Sequence, residues 1–208
     1  IAVIGTGNVG SVLGSRWAKA GHRVVFGSRD PGSQKVRALL DSVGGNASSA
    51  TIREAVADAE VVLLATPASA NAEAIKAAGD LTGKILIDAT NPIAEGLSGL
   101  TIGFDTSLGE QVAAMAKGAK VVKAFNTTGA GNMANPTYGS LAGTMLIAGD
   151  DAEAKKVVAG LAADLGFEPI DAGPLKNARY MEPMALQWVY LAYAQGMGPN
   201  IIFQLLRR

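Results

Sequence analysis

The feature that most constrains this chain is six residues long: Gly5-Thr6-Gly7-Asn8-Val9-Gly10, directly behind the apolar run Ile1 to Ile4 and directly ahead of the Ala/Leu/Trp-rich stretch Ser11 to Ala20. The spacing reads as strand, tight turn and helix. The first glycine turns the chain, the second lets the backbone approach a ligand, and the third lets the helix pack against the strand. A helix that opens at such a turn aims unpaired amides and the positive end of its dipole at one spot, and a diphosphate suits that spot.

Behind this unit the alternation continues. Apolar and β-branched runs near residues 1 to 5, 23 to 27, 47 to 50, 61 to 65, 84 to 88, 120 to 124, 144 to 149 and 167 to 171 read as strands. Helices are expected near 8 to 20, 33 to 43, 52 to 57, 69 to 79, 107 to 117 and 151 to 165, with Asp150-Asp151 as N-cap and first-turn acid of the last. Apolar strands separated by helices build a parallel sheet covered on both faces. The expected fold is α/β: a Rossmann-type, doubly wound, mostly parallel sheet of eight strands over residues 1–174, with a short C-terminal helical extension over 175–208. In the extension Asn177 to Tyr193 reads as one helix, Gly196-Met197-Gly198-Pro199 breaks it, and Ile201 to Leu206 is expected as a last apolar turn. Such a tail must be buried, as a lid on its own sheet or against a partner's, the second making a homodimer.

The second strand ends in Gly27-Ser28-Arg29. At that distance from the glycine loop, NAD-selective folds place Asp or Glu on the ribose 2′-hydroxyl, where the carboxylate repels a 2′-phosphate. An arginine fork meets that phosphate bidentately, Ser28 donates another bond, and Ser33 or Lys35 closes the pocket from the next helix, so the expected nucleotide is NADP(H). Ligands in such sheets lie beyond the carboxyl ends of the strands. The loops there carry Thr66-Pro67, Asn91-Pro92 and Asn126-Thr127-Thr128-Gly129-Ala130. These small neutral residues suit a flat ring and a carboxamide, although Asn and Thr are also ordinary turn formers. The candidate cofactor-binding set is Gly5, Thr6, Gly7, Asn8, Val9, Gly10, Ser28, Arg29, Ser33, Lys35, Thr66, Pro67, Asn91, Asn126, Thr127 and Ala130.

What the chain lacks narrows its chemistry. There is no cysteine and one histidine, His22, which sits in the turn before the second strand, so neither a metal-ligand cluster nor a thiolate nucleophile is expected. No tyrosine is followed four residues on by lysine, and no other acid-base relay is visible for oxidising a carbinol. Hydride exchange between a nicotinamide and a flavin-like ring needs orientation rather than a protein acid or base, and it fits this inventory. Lys+Arg and Asp+Glu stand at 18 each and aromatics at 5%, with no basic tract, which excludes a nucleic-acid footprint. Polar residues interrupt the longest apolar stretch, so no membrane span is expected, nor any leader ahead of the first strand, and cytoplasm is the default location.

The residues resemble the coenzyme F420-dependent NADP oxidoreductases, with a related branch in the cytosolic domain of the STEAP metalloreductases. The resemblance runs the length of the chain: the Gly-Thr-Gly-Asn-Val-Gly loop, Gly27-Ser28-Arg29, Val122-Lys123-Ala124-Phe125-Asn126-Thr127, Gly149-Asp150-Asp151, Asp171-Ala172-Gly173-Pro174-Leu175 and Gly196-Met197-Gly198. It implies NADP on Thr6 to Val9 and on Ser28-Arg29, and a nicotinamide near Thr66-Pro67 and the loop from Asn126 to Ala130. The deazaflavin would stack over the si face of that ring, under the helical tail, in a cytoplasmic homo-oligomer, usually a dimer. Where the archaeal enzymes carry a His-Thr-Ile-Pro-like loop, this chain has Asn126-Thr127-Thr128-Gly129, nearer the STEAP branch, so F420 or a flavin such as FMN or FAD is expected in the second site. An imine reductase or hydroxyacid dehydrogenase would need a larger helical domain than the tail after Pro174 provides, and the latter would have to use Lys123 from a strand end. A module that binds NADP(H) without catalysis is the remaining alternative.

Overall fold

The central strands are short and mostly apolar on both faces, leaving them no side for solvent. The computed structural model describes residues 1–208. Its strands are β1 (Ala2–Ile4), β2 (Val24–Gly27), β3 (Ala47–Ala50), β4 (Val61–Leu64), β5 (Ile85–Asp88), β6 (Lys120–Lys123), β7 (Thr137–Tyr138), β8 (Leu141–Ala142), β9 (Thr144–Gly149) and β10 (Glu168–Asp171). Eight of them form one sheet in the order β10-β9-β6-β5-β4-β1-β2-β3, while β7 and β8 pair as a separate small hairpin. Strands β1 to β6 are parallel; β9 pairs antiparallel with β6, and β10 parallel with β9. The expected α/β, mostly parallel eight-stranded sheet is what forms.

Helices α1 (Asn8–Lys19), α2 (Gln34–Val43), α3 (Ile52–Ala57), α4 (Asn71–Ala78), α5 (Leu108–Met115), α6 (Ala130–Ala134), α7 (Ala152–Asp164) and α8 (Ala178–Val189) cover the sheet, and α8 runs on into a π-helical turn, Tyr190–Ala194. Side chains alternate along each strand, so the core is in two layers. Val3, Phe26, Leu63, Ile87 and Val122 join Leu13 and Trp17 of α1 and Val158 and Leu161 of α7 on one face. Ala2, Ile4, Val62, Leu64, Leu86 and Val121 join residues of α3, α4 and α5 on the other. The Trp17 indole donates to the Leu161 carbonyl at 3.0 Å and its ring meets Phe125 edge-on, tying α1 to α7 over the sheet.

Asp150 and Asp151 divide their labour differently from the expectation. Asp151 caps α7 by accepting from the Ala154 amide, whereas Asp150 accepts from the Leu175 amide and fixes the start of the extension. The tail folds back on its own sheet. Ile201 to Leu206, expected as a turn, forms no helical turn: the Phe203 carbonyl accepts from the Thr144 amide and the Leu205 amide donates to the Thr144 hydroxyl. A chain lying beside the first residue of β9 satisfies its own backbone there and needs no helical turn.

Candidate functional site

The sheet order reverses between β1 and β4, which opens a crevice at their carboxyl ends, and the glycine loop fills its floor. Gly5 has φ +108, and a Cβ there would lie 2.5 Å from the Ala65 carbonyl oxygen. A Cβ on Gly10 would fall 1.9 Å from the Gly5 carbonyl oxygen, so the first turn of α1 lies directly on the loop. A Cβ on Gly7 would meet nothing within 4 Å, because this glycine faces the open crevice. Helix α1 starts at Gly7 with no side-chain cap and no acid in its first turn, so the amides of Asn8, Val9 and Gly10 keep the positive end of the helix free for an anion.

A cleft of about 500 Å³ runs outward from this loop, lined by Gly5, Thr6, Gly7, Ser28, Arg29, Lys35, Thr66 and Pro67 among others. Arg29 and Lys35 are exposed and enter no ion pair, so two cations stand free at the outer end. The Ser28 hydroxyl accepts from the Asp30 amide at 3.2 Å and keeps its own proton to donate. Ser33 is not part of the lining: its hydroxyl donates to the Asp30 carbonyl at 2.9 Å, holding the turn before α2. The far wall was not anticipated from the sequence. Ile52, Ala70, Ala74 and Ala77 give it an apolar surface with Glu73 at the rim, suited to the flat face of an adenine.

The next two strand ends lie inward of the lined cleft; Asn91, Asn126, Thr127 and Ala130, expected at the cofactor, are not among the residues that line it. The Thr66 hydroxyl donates to Asn71 Oδ1, and Asn71 Nδ2 donates to the Thr90 hydroxyl. Asn91 and Asn126 embrace: Asn91 Nδ2 donates to the Asn126 carbonyl at 2.8 Å, and Asn126 Nδ2 donates to Asn91 Oδ1 at 3.0 Å and to the Met181 carbonyl at 3.2 Å. Asn126 Oδ1, by contrast, is buried with no partner. Phe125, just before it, is held at φ +61, a conformation costly for a bulky side chain and kept here by the packing of its ring against Trp17 and Phe167. Thr127 is buried and Ala130 half-buried, the latter opening the short helix α6. Over this loop lies the extension: a Cβ on Gly129 would meet the Trp188 ring at 2.5 Å, and the indole donates to the Ile201 carbonyl.

Lys123, the lysine a hydroxyacid dehydrogenase would have had to use, is 0% exposed and points into the protein. Its ammonium donates to Asp88 Oδ2 at 2.9 Å and the Thr90 carbonyl at 2.7 Å, and pairs with Glu182 Oε1 at 2.8 Å, which uses all three of its protons. His22 lies elsewhere, paired with Asp164 at 2.8 Å.

Residues 1–92 match the family model for NADP oxidoreductase, coenzyme F420-dependent. Over 196 residues the chain is 35% identical to the F420-dependent NADP reductase of Methanothermobacter marburgensis, spanning 88% of this chain and 87% of that protein. The chain belongs to the F420-dependent NADP oxidoreductase family. Among solved structures, a protein of Arthrobacter sp. FB24 assigned to the F420-dependent NADP reductases superposes with a TM-score of 0.89 at 34% identity, over 99% of this chain and 98% of that one. The metalloreductase STEAP3 of Rattus norvegicus is 32% identical over 90% of this chain, which spans 36% of that longer protein. Outside the F420-dependent NADP oxidoreductases, a reductive aminase of Aspergillus terreus shares the fold, at a TM-score of 0.68 and 19% identity, and this chain spans 62% of it.

Proposed function

We propose that this chain transfers a hydride directly between NADP(H) and the deazaflavin F420. What carries the reading is one cleft, with a diphosphate loop and two unpaired cations where a 2′-phosphate would sit, in a chain of this family. When bound, the nicotinamide and the deazaflavin supply the redox chemistry, a hydride leaving one ring for the other while the accompanying proton exchanges with solvent. The protein's own work is positional. The amides of Asn8, Val9 and Gly10 would hold the diphosphate, and Arg29, Lys35 and the Ser28 hydroxyl would hold the 2′-phosphate. The loop from Asn126 to Ala130 would flank the nicotinamide, with the extension at Trp188 packed over it.

Mixing the protein with NADPH and oxidised F420, then separately with FMN, FAD and a ferric chelate, tests this. Bleaching of the F420 absorbance that depends on NADPH is the expected result, and reduction of flavin or iron without F420 would overturn it. The flavin arms are included because the chain is 32% identical to STEAP3 and its Phe125-Asn126-Thr127 resembles that branch. Tight NADPH binding with no turnover in any arm would mark a sensor. The same reading includes a cytoplasmic location and a homodimer; the exposed Tyr180, Tyr193 and Met197 on the extension support the second, which light scattering tests. No helix is long and apolar enough to cross a membrane.

A further inference from the structure

The cluster of Asp88, Lys123 and Glu182 takes no part in the chemistry above, yet it is the most deeply buried charge in the molecule, with exposures of 0, 0 and 1%. Every polar atom in it is used. Asp88 Oδ1 accepts from the Thr90 amide and hydroxyl, Asp88 Oδ2 from Lys123, and Glu182 accepts from Lys123 and from the Leu108 and Gly109 amides that open α5. A Cβ on Gly109 would lie 3.1 Å from Ala178 Cβ, so the glycine lets α8 close on α5 beside the cluster. Buried ion pairs are poor stabilisers compared with apolar packing, so their presence calls for another reason. The reason is visible in what stands next to each member. Asn126, three residues beyond Lys123, is held by Asn91, which follows Thr90, and by the Met181 carbonyl, which precedes Glu182. The three segments that meet at Asn126 are thus each pinned by the cluster within three residues of the contact.

We propose that Lys123, with Asp88 and Glu182, is a positioning device that sets Asn126 and the start of α8, and through them the loop from Asn126 to Ala130 that would flank the nicotinamide. The cluster is a support for that loop alone; the diphosphate loop and Arg29 are held by other contacts. It rests on the NADP(H) reading given above, and its test needs no electron acceptor. Binding of NADPH and of 2′-phospho-ADP-ribose, which lacks the nicotinamide, is measured for the unaltered protein, for Glu182→Gln, and for the double variant Lys123→Met/Glu182→Gln, which keeps the net charge of the cluster. Both variants are expected to bind 2′-phospho-ADP-ribose as the unaltered protein does. Their affinity for NADPH relative to it should fall about threefold to tenfold, the worth of one misplaced hydrogen bond, and the fluorescence of bound NADPH should move towards that of free NADPH. An unchanged ratio and spectrum in a folded variant overturns the proposal, as does failure of both variants to fold, which would make the cluster a requirement of the fold. Should the unaltered protein bind neither ligand, it is the NADP(H) reading that fails.

Discussion

At the scale of single residues, the proposed selectivity for NADP(H) rests on Arg29. Its guanidinium is exposed and unpaired, so removing it takes nothing from the folded core and the cost appears in the ligand alone. Hydrogen bonds to charged groups contribute about 1.5 to 3 kcal/mol, which is roughly a tenfold to hundredfold change in affinity. Arg29→Ala should therefore raise the Michaelis constant for NADPH by that factor, leave the constant for NADH nearly where it was, and leave the melting temperature unchanged. Steady-state kinetics with both coenzymes check it; a variant that keeps its preference for NADPH would move the phosphate site to Lys35. The glycine loop and Ser28-Arg29 were legible from the sequence because their meaning is local: six consecutive residues fix a turn, and one side chain at the end of β2 fixes a charge. Asn126 was legible as a candidate, but its orphaned oxygen was not, since the partners that occupy its nitrogen come from residues 91 and 181.

At the scale of elements, α8 is tied down on α5 by two acidic side chains. Arg179, one residue into the helix, grips Glu110 of α5 through two bonds of 2.8 and 2.7 Å, and Glu182 caps α5 from the same helix. The bond from Arg179 is the main reason the Glu110 carboxyl is held below the usual carboxylate range, outweighing the opposing effect of burial. A carboxyl whose pKa is lower folded than unfolded adds stability above its unfolded value, about 4.3, and loses that stability as pH falls through the depressed folded value. Glu110→Gln should thus cost about 1 kcal/mol at neutral pH, or roughly 2 to 4 °C in melting temperature, and cost progressively less as the pH falls below about 4. Parallel melts of the two proteins across that range would show the curves converging; a constant gap would mean the pair contributes packing and no charge. The eight main strands were legible because short apolar runs between glycines and helices say strand wherever they occur. The short helix α6 and the hairpin of β7 and β8 were not. They are held from outside their own sequence, by the Asn132 side chain donating to the Ile201 carbonyl and by the Tyr138 hydroxyl donating to Asn132.

At the scale of the whole molecule, the cleft and the loops inward of it are supported by different parts of the chain: the cleft by the first 77 residues, the loops by strand ends and a tail that come together only when the sheet is complete. The buried cluster illustrates why the second half was invisible in the sequence, for its charges stand at 88, 123 and 182 and only the fold brings them together. A ligand that bridges both binds the folded state alone and must stabilise the entire sheet. NADPH at a hundred times its dissociation constant contributes about 2.7 kcal/mol, which for a domain of this size raises the melting temperature by roughly 5 to 11 °C. NADH at the same concentration, bound about a hundredfold more weakly for want of the 2′-phosphate, contributes about 0.4 kcal/mol and should move it by only about 1 or 2 °C. Thermal melts with each coenzyme read the difference directly. Equal shifts would show that the free cations at Arg29 and Lys35 do not select the nucleotide, and the assignment of that end of the cleft would fall with them.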